Sequence, residues 1–72
     1  MKKVEYNGKV YDASHGGPFD RGAADSYYGR APRPHYFVGA TTVMIDDMTP
    51  EEVAAYYAGY DDNEEAGNFK DY

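Results

Sequence analysis

The two histidines have the widest chemical range in this sequence, because an imidazole ring can transfer protons near neutral pH or bind a metal ion. His15 is followed by Asp20, and His35 comes after Asp25, so each histidine has an acid nearby in the chain. No pair has the i, i+4 spacing or the paired Cys and His spacing that zinc sites use. We expect both histidines to be loop or helix-cap residues, and we predict no metal ion and no cofactor.

An acidic run near the carboxyl end consists of Asp61, Asp62, Glu64 and Glu65 around Asn63. Its carboxylates are of the type that binds calcium, but the alternating acids, the central glycine and the distant glutamate of a calcium loop are missing. The run is therefore interpreted either as a solvated helix face or as a surface that meets a basic partner.

Nucleophilic catalysis has little support in the sequence. There is no cysteine, the serines form no catalytic pattern with a histidine, and no glycine-rich phosphate loop follows a strand. A chain of 72 residues also leaves little room for an enclosed pocket of about 300 Å³ or more. Asp25 is expected to form a structural ion pair with Arg21 or Arg30 rather than to act as an acid or base. The chain is predicted not to be an enzyme.

Tyrosine is the dominant large side chain, since the chain has nine tyrosines, three phenylalanines and no tryptophan. A tyrosine has an apolar ring and a polar hydroxyl, so it can serve a core or a binding surface. In one interpretation, Tyr27, Tyr56, Tyr57 and Tyr60 pack inside with their hydroxyls at the rim. In the other, some of them form an exposed patch with nearby arginines, because tyrosine and arginine are enriched at protein interfaces.

Charge is unevenly distributed along the chain, which has a formal net charge of −6. Residues 1–36 hold six Lys and Arg against four Asp and Glu, whereas residues 37–72 hold one lysine against nine acids. Nucleic acids are bound by Lys and Arg that neutralise phosphates, so direct binding of nucleic acid is not expected. A protein with a basic surface is the better electrostatic match for the acidic half.

The composition indicates one domain, residues 1–72, in a reducing compartment. The absence of cysteine excludes disulfides and cysteine zinc sites, as is usual for cytoplasmic proteins. No run approaches the roughly 20 apolar residues that cross a bilayer, and the first residues do not resemble a signal peptide. We therefore expect a cytoplasmic protein that has no membrane partner.

The first predicted element is a β-hairpin within residues 1–13. The Asn-Gly pair at positions 7 and 8 tolerates the positive φ angles of a type I′ turn, and β-prone residues flank it. Alternation places Val4 and Tyr6 on one face, and we expect Val10 to lie opposite them on the same face. An isolated hairpin is only marginally stable, so it must rest on other elements.

A short helix is predicted over residues 19–28, after a Gly-Gly-Pro break. The i, i+4, i+8 spacing of Phe19, Ala23 and Tyr27 predicts that these three form its apolar stripe. Gly22 would allow another backbone to approach this helix closely.

Two further segments complete the predicted fold. Residues 36–45 are β-prone around a Gly-Ala pair and predict a second hairpin or one bent strand. The capping box of Thr49 and Glu52 begins a main helix over 50–62, with a longer version reaching about residue 65, and a tail over 66–72 follows. Its predicted inward stripe is Val53, Tyr56, Tyr57 and Tyr60. The chain is thus expected to be a small α+β domain, with hairpin and strands packed by one main helix and one short helix.

Three short segments resemble the ribosome modulation factor family. They are residues 21–30, 34–36 and 56–60, which read RGAADSYYGR, PHY and YYAGY. The family pattern has a glycine-punctuated first helix that ends in Gly-Arg, a Pro-Tyr element and a second helix with an aromatic-x-Gly-aromatic step. The resemblance covers about residues 20–62. It implies a ribosome-associated protein with Arg21, Arg30 and Arg33 on RNA.

The chain also resembles short accessory proteins of tailed bacteriophages. Those proteins carry a His-Gly-Gly-Pro and Asp-Arg-Gly start and a Gly-Tyr-Asp-Asp end, which here are residues 15–22 and 59–62. This resemblance implies a phage origin and a location in the cytoplasm of the host cell.

We expect a small acidic, non-enzymatic binding protein that inhibits or modulates a host protein or a nucleic-acid-processing complex through an acidic and aromatic surface. Its predicted partner-binding residues are Asp61, Asp62, Glu64, Glu65, Tyr60, Arg30 and Arg33. A ribosome-associated factor and a minor structural component of the virion are the alternatives. An exposed strand edge in either hairpin would also allow two copies to pair as a homodimer.

Overall fold

The computed structural model describes residues 2–71 and has two antiparallel hairpins and two α-helices, which confirms the predicted α+β class. The elements are β1 (Lys3–Tyr6), β2 (Lys9–Asp12), α1 (Pro18–Tyr27), β3 (His35–Val38), β4 (Thr41–Met44), a short 3-10 helix (Ile45–Asp47) and α2 (Pro50–Ala66). The predictions that include Met1 and Tyr72 extend outside the described residues. None of the helices within 2–71 combines the length and the apolar character that a membrane span requires.

The turn of the first hairpin forms as predicted, because Asn7 and Gly8 have φ angles of 52° and 79°. Val4 pairs directly with Tyr11, whereas Val10 pairs with a glutamate. Since directly paired residues share a face, Tyr11 joins Val4, and the predicted place of Val10 was wrong. Val10 is 57% exposed on the other face. The loop of two residues fixes this register.

The core is the crossing of α1 and α2, where two glycines bring the backbones into contact. A Cβ atom on Gly22 would overlap the carbonyl oxygen of Tyr56 and lie 2.9 Å from its carbonyl carbon. A Cβ atom on Gly59 would likewise overlap the carbonyl oxygen of Phe19 and lie 2.8 Å from its carbonyl carbon. The predicted close approach at Gly22 is confirmed.

This close contact rotates the buried faces of both helices away from the predicted stripes. Ala23 and Tyr27 are half-buried rather than central. On α2, Tyr57 is 42% exposed, so its predicted inward position was wrong, whereas Tyr56 is fully buried. The buried residues of the two helices are Phe19, Gly22, Asp25, Ser26, Tyr56, Ala58 and Gly59. Small residues lie at the contact because only they permit the short distance between the helices.

The capping box at the start of α2 is present as predicted. The Thr49 hydroxyl accepts a hydrogen bond from the Glu52 backbone N–H at 3.2 Å, and the Glu52 carboxylate accepts one from the Thr49 N–H at 2.8 Å. Two backbone N–H groups at the helix start therefore have partners, and the acid also suits the helix dipole.

The far end of α2 extends to Ala66, as in the longer of the two predicted versions, and stops at a glycine with φ 67°. The last turns carry like charges, but side chains from other parts of the chain form hydrogen bonds with two of these carboxylates. The Ser26 hydroxyl donates to the Glu64 carboxylate at 2.5 Å, and the Tyr6 hydroxyl donates to Glu65. These tertiary hydrogen bonds offset the local repulsion, which explains the longer helix.

The tail that follows α2 returns to α1 through its backbone. The Lys70 N–H donates to the Tyr27 carbonyl at 2.7 Å, and the Asn63 side-chain amide donates to the Asn68 carbonyl at 2.7 Å. The side chain of Phe69 is 47% exposed. Up to residue 71, the tail is therefore attached to the core while this aromatic ring faces solvent.

Of the two alternatives for residues 36–45, the structure shows a second hairpin. His35 pairs with Met44, and Phe37 pairs with Thr42, so these four side chains share one face. The Phe37 N–H donates to the Gly16 carbonyl at 2.8 Å, which joins the hairpin to the loop before α1. This face forms one wall of the groove described next.

Candidate functional site

An open groove of about 460 Å³ lies between α1, the β3–β4 hairpin and the extended segment that joins them. We call it the arginine groove because three arginines line it, together with an aspartate and a histidine: Arg21, Arg30, Arg33, Asp25 and His35. Its volume falls in the range of ligand sites, roughly 300 to 1,000 Å³. The groove is open to solvent, so it does not contradict the prediction that so small a chain leaves little room for an enclosed pocket.

Asp25 lies at the base of the arginine groove and is only 4% exposed. The Tyr56 hydroxyl donates a hydrogen bond to it, and Arg30 Nη1 lies 3.6 Å from its other oxygen. Of the two arginines predicted to pair with Asp25, Arg30 is the one in contact. Burial, followed by the hydrogen bond to Asp25, raises the pKa of Tyr56 above its ordinary value of 10. The phenol therefore remains a proton donor at neutral pH.

Arg21 is fixed in the arginine groove by a histidine and an aromatic ring. Its Nε–H donates to His35 Nε2 at 3.3 Å, and His35 Nδ1–H donates to the Arg33 carbonyl at 2.7 Å. A carbonyl oxygen only accepts, so the imidazole proton is on Nδ1 and Nε2 is free to accept. The Arg21 guanidinium lies over the Phe37 ring, 4.7 Å from its centroid. Among residues 2–71, its two terminal nitrogens have no hydrogen-bond acceptor or acidic partner.

Two tyrosines of α2 hold the backbone of the segment that carries Arg30 and Arg33. The Tyr60 hydroxyl donates to the Arg30 carbonyl at 2.5 Å, and the Arg33 N–H donates to the Tyr56 hydroxyl oxygen at 2.8 Å. The Arg30 side chain is 58% exposed, so its guanidinium is accessible. The two guanidinium groups are thus presented from a fixed backbone.

Exposed apolar side chains lie beside the arginines. Phe37 and Met44 line the arginine groove on the same hairpin face, with Phe37 39% and Met44 46% exposed. Val38 and Ile45, which follow them in sequence, are exposed as well. Arginine, aromatic residues and methionine beside one another are the composition that is enriched at protein interfaces.

The structure separates the predicted partner-binding residues into two groups. Arg30 and Arg33 come together in the arginine groove, and Tyr60 positions one of them. In the acidic run, Asp61 is exposed and Asp62 is half-buried. Glu64 and Glu65 instead accept the hydrogen bonds that hold the end of α2. The hydrogen bond to Glu65 is the largest of the effects that raise the pKa of Tyr6 to about 12.

Seven groove residues were absent from the predicted binding set: Arg21, Asp25, Ala31, His35, Phe37, Thr42 and Met44. The i, i+2 spacing of His35 and Phe37 within a β-prone run is a sequence signal that places both on one strand face. No comparable signal indicates that this face meets Arg21, because that contact joins α1 to β3.

Metal binding has no support from side-chain geometry. In the part of the chain that the structure describes, no three His, Cys, Asp or Glu side chains are grouped to hold a metal ion. His15 is fully exposed, and its Nδ1 lies 3.9 Å from Asp20.

No family model matches this chain, and comparisons with curated proteins and with solved structures find no match either. Its function is therefore inferred from its own residues.

Proposed function

We propose that this chain is a small non-enzymatic binding protein that holds a partner protein in the arginine groove and so inhibits or modulates that partner. The supporting observation is that Arg21, Arg30 and Arg33 line one groove together with exposed Phe37 and Met44. Arginines and aromatic side chains in partly enclosed sites are the residues whose truncation most often weakens protein complexes.

The fixed backbone of the arginine groove supports the proposal further. Tyr56 and Tyr60 anchor the segment that carries Arg30 and Arg33, and His35 orients Arg21. A partner therefore meets guanidinium groups that have already lost part of their conformational freedom. Less entropy is lost on binding to such a site than to a flexible loop.

The acidic half of the chain adds a second element to the proposal. Asp61 and Asp62 follow Tyr60, whose hydroxyl reaches the rim of the arginine groove at the Arg30 carbonyl. A partner with a basic surface would be attracted by this charge, which speeds association at low ionic strength. We propose a partner that presents a basic surface to α2 and a segment of complementary chemistry to the groove.

Association with ribosomal RNA is a second candidate, and one observation favours it. Arg21, Arg30 and Arg33, which the resemblance to ribosome modulation factors puts on RNA, line the same groove. Guanidinium groups pair with phosphates as well as with carboxylates. Sedimentation distinguishes this candidate, because binding through phosphates would carry the protein with ribosomes at low salt and release it as salt rises.

Affinity capture from a bacterial host lysate tests the proposal. We would immobilise the parent chain, the variant Arg30→Ala/Arg33→Ala and the control Lys2→Ala/Lys3→Ala. The control removes the same charge from residues outside the groove. We expect the parent and the control to retain a set of proteins that the arginine variant does not retain. All three chains should unfold at similar temperatures.

Identical sets of captured proteins for all three chains would refute the proposal. If the double variant unfolds at a lower temperature, Arg33→Ala alone replaces it. Arg33 makes its hydrogen bonds through backbone atoms, so removal of its side chain leaves them intact.

A further inference from the structure

We infer that the arginine groove binds a short acidic segment of the partner in which a carboxylate adjoins an apolar side chain. This inference rests on the proposed function and identifies the chemistry that the groove recognises. It is drawn from the charge balance of the groove, from its apolar wall and from the fixed position of Arg21.

The charge balance of the groove favours a ligand with few negative charges. Three arginines and one aspartate line it, so the formal local charge is 3 − 1 = +2. Asp25 already has the Tyr56 hydroxyl and Arg30 as partners, and the terminal nitrogens of Arg21 remain available. A planar guanidinium binds a carboxylate through two parallel hydrogen bonds, which gives both affinity and orientation.

The apolar wall indicates what must adjoin the carboxylate. The Arg21 guanidinium lies on the Phe37 ring, and Met44 is on the same hairpin face, so cationic and apolar surfaces are contiguous. A ligand held by Arg21 would therefore bring its next groups over Phe37 and Met44. Aliphatic side chains would bury apolar area there, whereas a second charged group would lose solvation without a partner.

A peptide fits these features better than a nucleic acid does. A phosphate backbone carries its charge at regular short intervals and would extend from the groove onto a chain of net charge −6. Base stacking on Phe37 is also hindered, because Arg21 occupies one face of the ring. A short acidic and apolar peptide needs only the groove itself.

Fluorescence polarisation with defined peptides tests this inference. The probe is a fluorescein-labelled peptide with the sequence Glu-Leu-Asp-Leu. Competitors are the amide peptide Gln-Leu-Asn-Leu, the polar acid peptide Glu-Ser-Asp-Ser, inorganic phosphate and an oligouridylate. We expect the labelled peptide to bind, and both altered peptides to compete about tenfold less well or worse than its unlabelled form. Arg33→Ala should weaken binding by about tenfold, whereas Lys3→Ala should not change it.

Several outcomes would overturn the inference. The inference falls if the acidic peptide does not bind. It also falls if the amide peptide or the polar acid peptide competes as well as the unlabelled acidic peptide, or if oligouridylate or phosphate competes better. Self-association of the chain that blocks the labelled peptide would also overturn it, because the occupant would then be a second copy. If peptides fail but lysate capture still depends on Arg30 and Arg33, the proposed function stands and only the ligand assignment falls.

Discussion

Gly59 of α2 lies directly against the backbone of Phe19 in α1, and no side-chain atom fits between them. The same crossing buries Gly22 against α2, so each helix contributes one glycine to the contact. This contact positions α1, which carries Arg21 and Asp25, relative to the tyrosines of α2 that hold the groove. The stability of the domain and the shape of its candidate site therefore depend on the same pair of helices.

Gly59→Ala should destabilise the protein even though alanine favours a helix by about 1 kcal/mol over glycine. The added methyl group would overlap the Phe19 carbonyl oxygen, so the helices must move apart. We expect a net loss of about 1 to 3 kcal/mol, which thermal unfolding followed by circular dichroism would measure. The control Ala54→Gly, at an exposed position of α2, should lose only the helix-propensity difference. A more stable Gly59→Ala variant would contradict the observed helix contact.

Thr49→Ala should remove the capping box at the start of α2. The Glu52 N–H would lose its acceptor, at an expected loss of about 1 kcal/mol. For a domain of this size that corresponds to a melting temperature lower by roughly 4 to 8 °C. Thr49→Ser keeps the hydroxyl and should stay close to the parent. If both variants melt at the parental temperature, the cap does not contribute to stability.

Tyr56→Phe should weaken both the core and the arginine groove. It removes the hydroxyl that donates to buried Asp25 and accepts from the Arg33 N–H. A buried acceptor left with fewer partners typically costs about 1 to 3 kcal/mol, which urea denaturation would report. Tyr57→Phe removes the same atom from an exposed ring and should change stability by less than about 0.5 kcal/mol. Equal effects of the two substitutions would show that the buried hydrogen bonds are unimportant.

Glu52 should contribute to the loss of stability in acid. Its hydrogen bonds, first from the Thr49 N–H and then from Tyr36, hold the pKa of its carboxyl below the ordinary value of 4.5. Because the folded pKa is the lower one, the stabilisation is present in full above 4.5 and disappears as the pH falls through the folded pKa. Between about pH 6 and pH 3, the melting temperature should fall less steeply for Glu52→Gln than for the parent. Parallel curves would contradict this assignment.

Asp61→Asn/Asp62→Asn should leave the melting temperature unchanged or higher. Asp61 lies three residues before Glu64 and four before Glu65, and Asp62 lies three before Glu65. Neutralising the two aspartates therefore relieves repulsion of about 0.2 to 0.5 kcal/mol for each of these pairs. If this surface attracts a basic partner, association should also be slower at low salt, and the difference from the parent should fade as salt rises. Asp46→Asn/Asp47→Asn, with the same charge change elsewhere, is the control. Association at the parental rate would remove the acidic run from the proposal.

Much of the architecture is encoded in short stretches of sequence. The Asn-Gly turn and the Thr49–Glu52 capping box both form as predicted, because each depends on φ preferences or hydrogen bonds among a few adjacent residues. The face of Val10, the exposure of Tyr57 and the choice between the two predicted ends of α2 were not predictable in this way. The face of Val10 depends on the strand register, and the other two features depend on which parts of the chain pack against α2.

The sequence by itself therefore determined the elements, their caps and the uneven charge of this protein, because local backbone preferences and composition suffice for these. Only the tertiary structure decided that Arg21 meets His35 and Phe37 and that Ser26 holds Glu64, 38 positions away. The contact between Ser26 and Glu64 joins the two helices that the glycines bring together, whereas the contacts of Arg21 follow from the packing of α1 against β3. The arginine groove results from that packing, and no local pattern in the chain specifies it.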